Sequence, residues 1–118
     1  MSDADNGSVV FLSGDLIFTS RVRGAAEAAG YEFRGGTALP KEQTDVIRYV
    51  ILDLSTRSGL TPEIVGWCTE HCPDATLMAY GPHVQVNRIN AAREAGIATV
   101  MTRGQFDRDL PNVFENCS

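Results

Sequence analysis

Tyr49-Val50-Ile51-Leu52-Asp53 is a nearly continuous hydrophobic segment, and a lone carboxylate closes it. Nearly continuous β-branched and aliphatic residues, with no polar alternation, predict a strand buried on both faces. Such a strand needs helices above and below it, which selects an α/β layer structure. Open sheets of that kind place their chemistry in the crevice outside the carboxyl ends of the strands. Asp53 is therefore the first candidate functional residue.

The rest of the chain alternates in the same sense. Val9 to Leu12 predicts a first strand, with Ser13-Gly14-Asp15 as the turn after it. Phe18, Val22, Ala25, Ala26 and Ala29 recur at helical spacing, and Gly30 stops that helix. Tyr31 to Arg34 predicts a short second strand, broken by Gly35-Gly36. A weaker helix is expected over Leu39 to Arg48, with Leu39, Gln43, Val46 and Ile47 inward and Pro40 in its first turn. The central strand, Tyr49 to Leu54, leads into a polar loop, Ser55 to Leu60. Thr61 as cap and Pro62 as first helical residue open a third helix that ends near His71, before Pro73. Ala75 to Tyr80 predicts a fourth strand, Val84 to Ala95 a helix stopped by Gly96, and Ile97 to Met101 a fifth strand. A last helix is expected over Gln105 to Asn116, divided by Pro111.

Five strands alternating with helices give a three-layer sandwich around a parallel sheet with right-handed crossovers. The expected order is the flavodoxin-like 2-1-3-4-5. That order brings Ser13, Gly14, Asp15, Asp53, Gly81 and Arg103 to one crevice.

Composition narrows the function. The 118 residues suffice for one domain, expected over residues 9–118 behind a disordered tail, residues 1–8. The net charge of -5 and the lack of any Lys/Arg run argue against nucleic acid and anionic membranes as partners. No apolar stretch approaches the roughly 20 residues of a membrane span. The polar, acidic N-terminus is unlike a signal peptide, and three cysteines make no disulfide framework, so a cytoplasmic setting is expected.

An acidic turn after the first strand, Asp53 ending the third, Ala95-Gly96 before the fifth and Arg103 after it stand in a set order. In that order the chain resembles the response-regulator receiver (CheY-like) family, over residues 9 to about 110. The resemblance implies metal-assisted phosphoryl transfer from a kinase to Asp53. It also implies an acid pair that holds Mg²⁺, a Ser/Thr and a Lys on the phosphoryl oxygens, and an aromatic switch in the fifth strand. Matched position by position, the acid pair falls on Ser13 and Gly14, the Ser/Thr on Gly81, the Lys on Arg103 and the aromatic on Val100. Gly104 replaces the proline that usually follows the Lys. Asp15 stands one residue beyond the acid pair.

The chain thus reads as a degenerate, or pseudo, receiver. No cofactor is expected, and Arg103 is expected to pair with Asp53 or Asp15 in the space of metal and phosphoryl group. In a dry pocket, loss of Arg103 would cost ~3 kcal/mol or more. The expected function is signalling by protein–protein contact without catalysis, with a kinase or output protein as partner. The expected surface is the fourth helix, fifth strand and last helix, through Asn87, Ala91, Glu94, Arg103 and Phe106, which an exposed Phe106 would strengthen, with a homodimer as one product.

Rival readings stay open on the residues. Asp53 is either a phospho-acceptor that uses Asp15 as a Mg²⁺ ligand, or simply a strand-end carboxylate that caps a helix. Ser13-Gly14-Asp15 at a helix start also suits a small ligand or flavin, although it meets neither the Walker nor the dinucleotide fingerprint. Cys68, His71 and Cys72 share a helix face but lack the further ligands that zinc needs, so they read as core residues, as does Trp67. His83 reads as a solvated residue at a helix start.

Overall fold

A computed structural model describes residues 7–41 and 46–114. Its elements are β1 (Ser8–Leu12), α1 (Leu16–Ala28), β2 (Glu32–Gly36), β3 (Ile47–Asp53), α2 (Leu54–Arg57), a 3-10 turn (Ser58–Leu60), α3 (Thr61–His71), β4 (Thr76–Gly81), α4 (Val86–Glu94), β5 (Thr99–Thr102) and α5 (Arg103–Val113). The sheet is parallel throughout, in the order β2-β1-β3-β4-β5. The expected architecture and strand order are observed.

β3 is central, and Val50, Ile51 and Leu52 are fully buried, as an unalternated apolar run requires. Its period of two divides the core. Val50 and Leu52 face α2, α3 and α4, together with Val10, Ile64, Ala79 and Ile89. Ile51 faces α1 and α5, together with Phe11, Phe18, Tyr80 and Phe106. The second face is built from rings. Tyr80 stacks on Phe106 with centroids 4.6 Å apart and planes 3° from parallel, and Phe18 meets Tyr80 edge-on at 5.5 Å.

Several boundaries differ from those expected, each for a local reason. Among the described residues, the helix over Leu39 to Arg48 is not observed. Leu39 and Pro40 are irregular, Gln43 lies outside the described residues, and Ile47 and Arg48 extend β3. Pairing with Ser8 and Val9 of β1 outweighs the weak helical periodicity there. Ser8, expected in the tail, belongs to β1 and is buried; residues 1–6 lie outside the described residues. Gly35 and Gly36 do not break β2 but pair with Phe11 and Leu12. A Cβ on Gly35 would stand 2.9 Å from the Phe33 ring, so glycine lets the ring lie along the strand.

The loop after β3 is instead a helical turn, because Asp53 caps it. Thr61 is the first residue of α3, not its cap; Leu60 precedes it without a side-chain cap bond. α5 starts at Arg103, two residues early, on a capping box between Thr102 and Gln105, and Pro111 lies within its last turn. Residues 115 and 116 of the expected last helix lie outside the described residues.

Candidate functional site

Strand register assembles the crevice. Leu12 pairs with Leu52, Asp53 with Tyr80, and Gly81 with Thr102. The residues just beyond these pairs, Ser13 to Asp15 and Arg103, therefore meet Asp53 at the carboxyl edge. All six expected pocket residues lie along this edge, and hydrogen bonds connect most of them.

Asp53 is 2% exposed and accepts three hydrogen bonds. The Ser55 N–H donates to Oδ1 at 2.9 Å and so caps α2. Oδ2 accepts from the Ser13 hydroxyl at 2.7 Å and from the Thr56 hydroxyl at 2.9 Å. Each hydroxyl is itself a relay. Ser13 Oγ accepts from the Asp15 N–H at 3.0 Å, and Thr56 Oγ1 accepts from the Gly14 N–H at 2.9 Å. The dipoles of the β1–α1 turn thus reach one carboxylate oxygen through two hydroxyls. Among the described residues, no cation contacts Asp53.

Asp15 turns away from Asp53. Its Oδ1 accepts from the Phe18 N–H at 3.0 Å, capping α1, and its Oδ2 accepts from Arg103 Nη2 at 3.0 Å. Of the two partners expected for Arg103, the structure selects Asp15. The pair is half-solvated, at 49% exposure for Arg103 and 28% for Asp15, so the dry pocket expected for it is not found. The guanidinium also covers the Phe18 ring at 4.8 Å.

Mg²⁺ needs a near-octahedral set of oxygens. Ser13 points its hydroxyl hydrogen at Asp53, Gly14 has no side chain, and both Asp15 oxygens are engaged. The carboxylates present do not converge on one point, and this donor set does not fit Mg²⁺. Among the described residues, no group of three or more His, Cys, Asp or Glu side chains is placed to hold a metal ion.

Gly81 closes against Leu54: a Cβ there would stand 3.2 Å from the Leu54 Cβ. Val100 packs against the core face of α3 and α4. Phe106 is fully buried and stacked on Tyr80, so the exposed anchor that would strengthen this surface is absent. Asn87, Ala91 and Glu94 are solvent-exposed on α4 and line a groove of about 500 Å³ against Ser58, Thr61 and Pro62. They do not form one surface with Phe106, which is on the other side of the sheet.

Three residues join the site without having been singled out in the sequence. Thr56 had a readable signal, an Asp followed three residues later by a hydroxyl. Tyr80 lies opposite Asp53 in register, and its buried hydroxyl lies beside Ser13 and Asp53 without a hydrogen bond. Burial, and then the Asp53 charge, raise its phenol well above the usual value. Arg57 lies over the β1–α1 turn, its Nη2 3.5 Å from where a Cβ on Gly14 would be. Its Nε is buried and unpaired.

Away from the crevice, Cys68 and Cys72 are free, buried thiols. Burial, with Cys72 adjacent, pushes the Cys68 thiol up to about 12. Trp67 packs partly against the core and its ring lies 5.1 Å from that of His71.

No protein-family model matches the sequence, and no curated protein matches it. Solved structures do. The beryllofluoride-activated NtrC4 receiver domain, a dimer, aligns over 92% of this chain and 96% of its own, at 19% identity and a TM-score of 0.65. A response regulator from Burkholderia pseudomallei, holding a phosphorylated aspartic acid, a calcium ion and citrate, aligns over 90% of this chain and 66% of its own, at 12% identity and a TM-score of 0.65. The isolated receiver domain of RcsB from Salmonella enterica serovar Typhimurium aligns over 90% and 83%, at 18% identity and a TM-score of 0.60. Sheet order, crevice position and these likenesses agree that the chain has the receiver fold of response regulators.

Proposed function

We propose that this domain signals by protein–protein contact and that Asp53 is not phosphorylated by the Mg²⁺-dependent route. One observation carries the reading: Asp53 is held by two hydroxyl relays and a helix N-terminus, in place of acids that converge on a metal. Phosphoryl transfer to a carboxylate depends on a cation that neutralises the transferring group, and the donor set here does not supply its site. Gly81 offers no hydroxyl to a phosphoryl oxygen, and Val100 offers no ring to reorient. The usual way of turning phosphorylation into a surface change is therefore missing.

The contact surface on this reading is the α4 groove, through Asn87, Ala91 and Glu94, with Arg103 at the crevice. A kinase or output protein is the partner class, and a homodimer through α4, β5 and α5 is a second product. The NtrC4 receiver is dimeric in its structure. No described helix is long and apolar enough to cross a membrane. A cytoplasmic setting, no catalysis and no resident cofactor belong to the same proposal.

The test is a titration of isotope-labelled protein with Mg²⁺ and beryllofluoride, followed by amide shifts around Asp53. No saturable shift is expected. Saturable shifts that vanish in Asp53→Asn would establish the phospho-acceptor reading instead. Coloured or ligand-bearing purified protein would establish the small-ligand reading.

A further inference from the structure

The described residues expose five large hydrophobic side chains, and four of them gather at one edge of the sheet. Leu16 and Ile17, 81% and 80% exposed, open α1 beside the crevice. Val84 and Val86, 73% and 54% exposed, stand on the opposite rim, before and at the start of α4. The fifth, Val46, precedes β3 at the far end of the sheet. Scattered surface aliphatics are ordinary, but pairs on both rims of one crevice mark a contact face.

The space between the rims is basic, although the chain carries a net charge of -5. Arg57 lies over Gly14 with a buried, unpaired Nε. Arg88 spends its Nη1 on the Leu54 and Ser55 carbonyls and the Gln85 side chain, and among the described residues no carboxylate pairs with it. Among the described residues, Arg103 is the one of these three arginines with an acidic partner, Asp15. Burial does not cancel the Asp53 charge, so three guanidiniums face two carboxylates, Asp15 and Asp53, and the edge retains one positive charge. The Arg57 side chain is only part-buried, and a planar guanidinium fork suits a carboxylate.

We propose that this edge docks an acidic segment of a partner protein. A carboxylate side chain meets Arg57 at the β1–α1 turn, and aliphatic neighbours in the partner cover Leu16 and Ile17 on one rim and Val84 and Val86 on the other. The proposal deepens the reading of the domain as an interaction module and rests on it. It differs from the α4 groove in place and in chemistry. Charge sets its specificity and rate of encounter, and the aliphatic rims hold the complex.

The probe is a short peptide of alternating glutamate and leucine, with a lysine–leucine counterpart and inorganic phosphate as comparisons. Amide shifts of the labelled domain report on each. The glutamate peptide is expected to shift Leu16, Ile17 and Val84 saturably, with affinity that falls as salt rises. Arg57→Gln should weaken it roughly tenfold, about 1.4 kcal/mol, and Arg57→Lys less. Leu16→Ser with Ile17→Ser should weaken it as well, and unchanged melting would show that each variant folds. Equal binding of the lysine peptide, an indifferent Arg57→Gln, or no shift at these amides would overturn the proposal. Phosphate alone reproducing the shifts would also overturn it, in favour of a free-anion site. Peptide binding beside Mg²⁺-dependent beryllofluoride shifts would overturn the earlier reading and leave this one standing. Silence toward both would do the reverse.

Discussion

At the residue scale, two charged side chains of the crevice have opposite energetic characters. Asp53 is buried, and its removal takes the acceptor from three donors, among them the buried Ser13 hydroxyl. Asp53→Ala should therefore cost about 2–3 kcal/mol, from the orphaned donors and the lost α2 cap. Arg103 is half-exposed, and its pair with Asp15 is a surface ion pair with a cation–π contact added. Arg103→Ala should cost only about 1 kcal/mol. Urea denaturation of the two variants tests this ranking. A larger loss for Arg103 than for Asp53 would show that the bridge to Asp15, and not the hydroxyl relay, ties the crevice together. Asp53 was legible in the sequence because it closes an unalternated apolar run. Its state was not, because the donors come from residues 13, 55 and 56, which only β1–β3 pairing and the α2 turn bring together.

At the element scale, glycine decides what the end of β4 can do. A side chain on Gly81 would press on Leu54, the first residue of α2, within 3.2 Å. Gly81→Ala should therefore destabilise by about 1–2 kcal/mol. Gly104, in the first turn of α5, has open space where a Cβ would stand, with nothing within 4 Å. Gly104→Ala should therefore be neutral or stabilise by ~0.5–1 kcal/mol. Thermal unfolding of the pair checks both signs. Elsewhere, local signals mislead. Gly35-Gly36 and Leu39 to Arg48 carry patterns for a break and a helix, but pairing with β1 makes strand of Gly35, Gly36 and Ile47, and Arg48 stands at a register shift within β3. The capping box of α5, by contrast, was readable as Thr102 followed three residues later by Gln105.

At the scale of the whole molecule, the two faces of the sheet bury different chemistry. The α1–α5 face is aromatic and includes the Tyr80 phenol; the α2–α4 face is aliphatic and includes the Cys68 and Cys72 thiols. Both Tyr80 and Cys68 have raised pKa values when folded, so the unfolded chain releases those protons first. Stability from these groups is fully present below the unfolded value, 9.0 for the thiol, and is lost as pH rises toward the folded value of about 12. Denaturation midpoints should accordingly fall from about pH 9 upward. Tyr80→Phe should flatten the decline above about pH 10, where phenols ordinarily titrate. It should leave neutral stability equal or higher, because the hydroxyl it removes has no partner. An unaltered alkaline slope in Tyr80→Phe would place the sensitive group elsewhere.

By itself the sequence determined the architecture. A doubly buried central strand, helical periodicities between short apolar runs, and glycine stops at Gly30 and Gly96 leave few ways to layer this chain, and all of them put Asp53 at the crevice. Local pattern carries that much because the hydrophobic periods are local. Tertiary structure decided the electrostatics: which carboxylate Arg103 takes, what holds Asp53, where Phe106 points, and that the Arg57 Nε is buried without an acceptor. Those outcomes depend on side chains far apart in the chain meeting at fixed distances in a half-dry crevice, and no spacing along the chain encodes such distances.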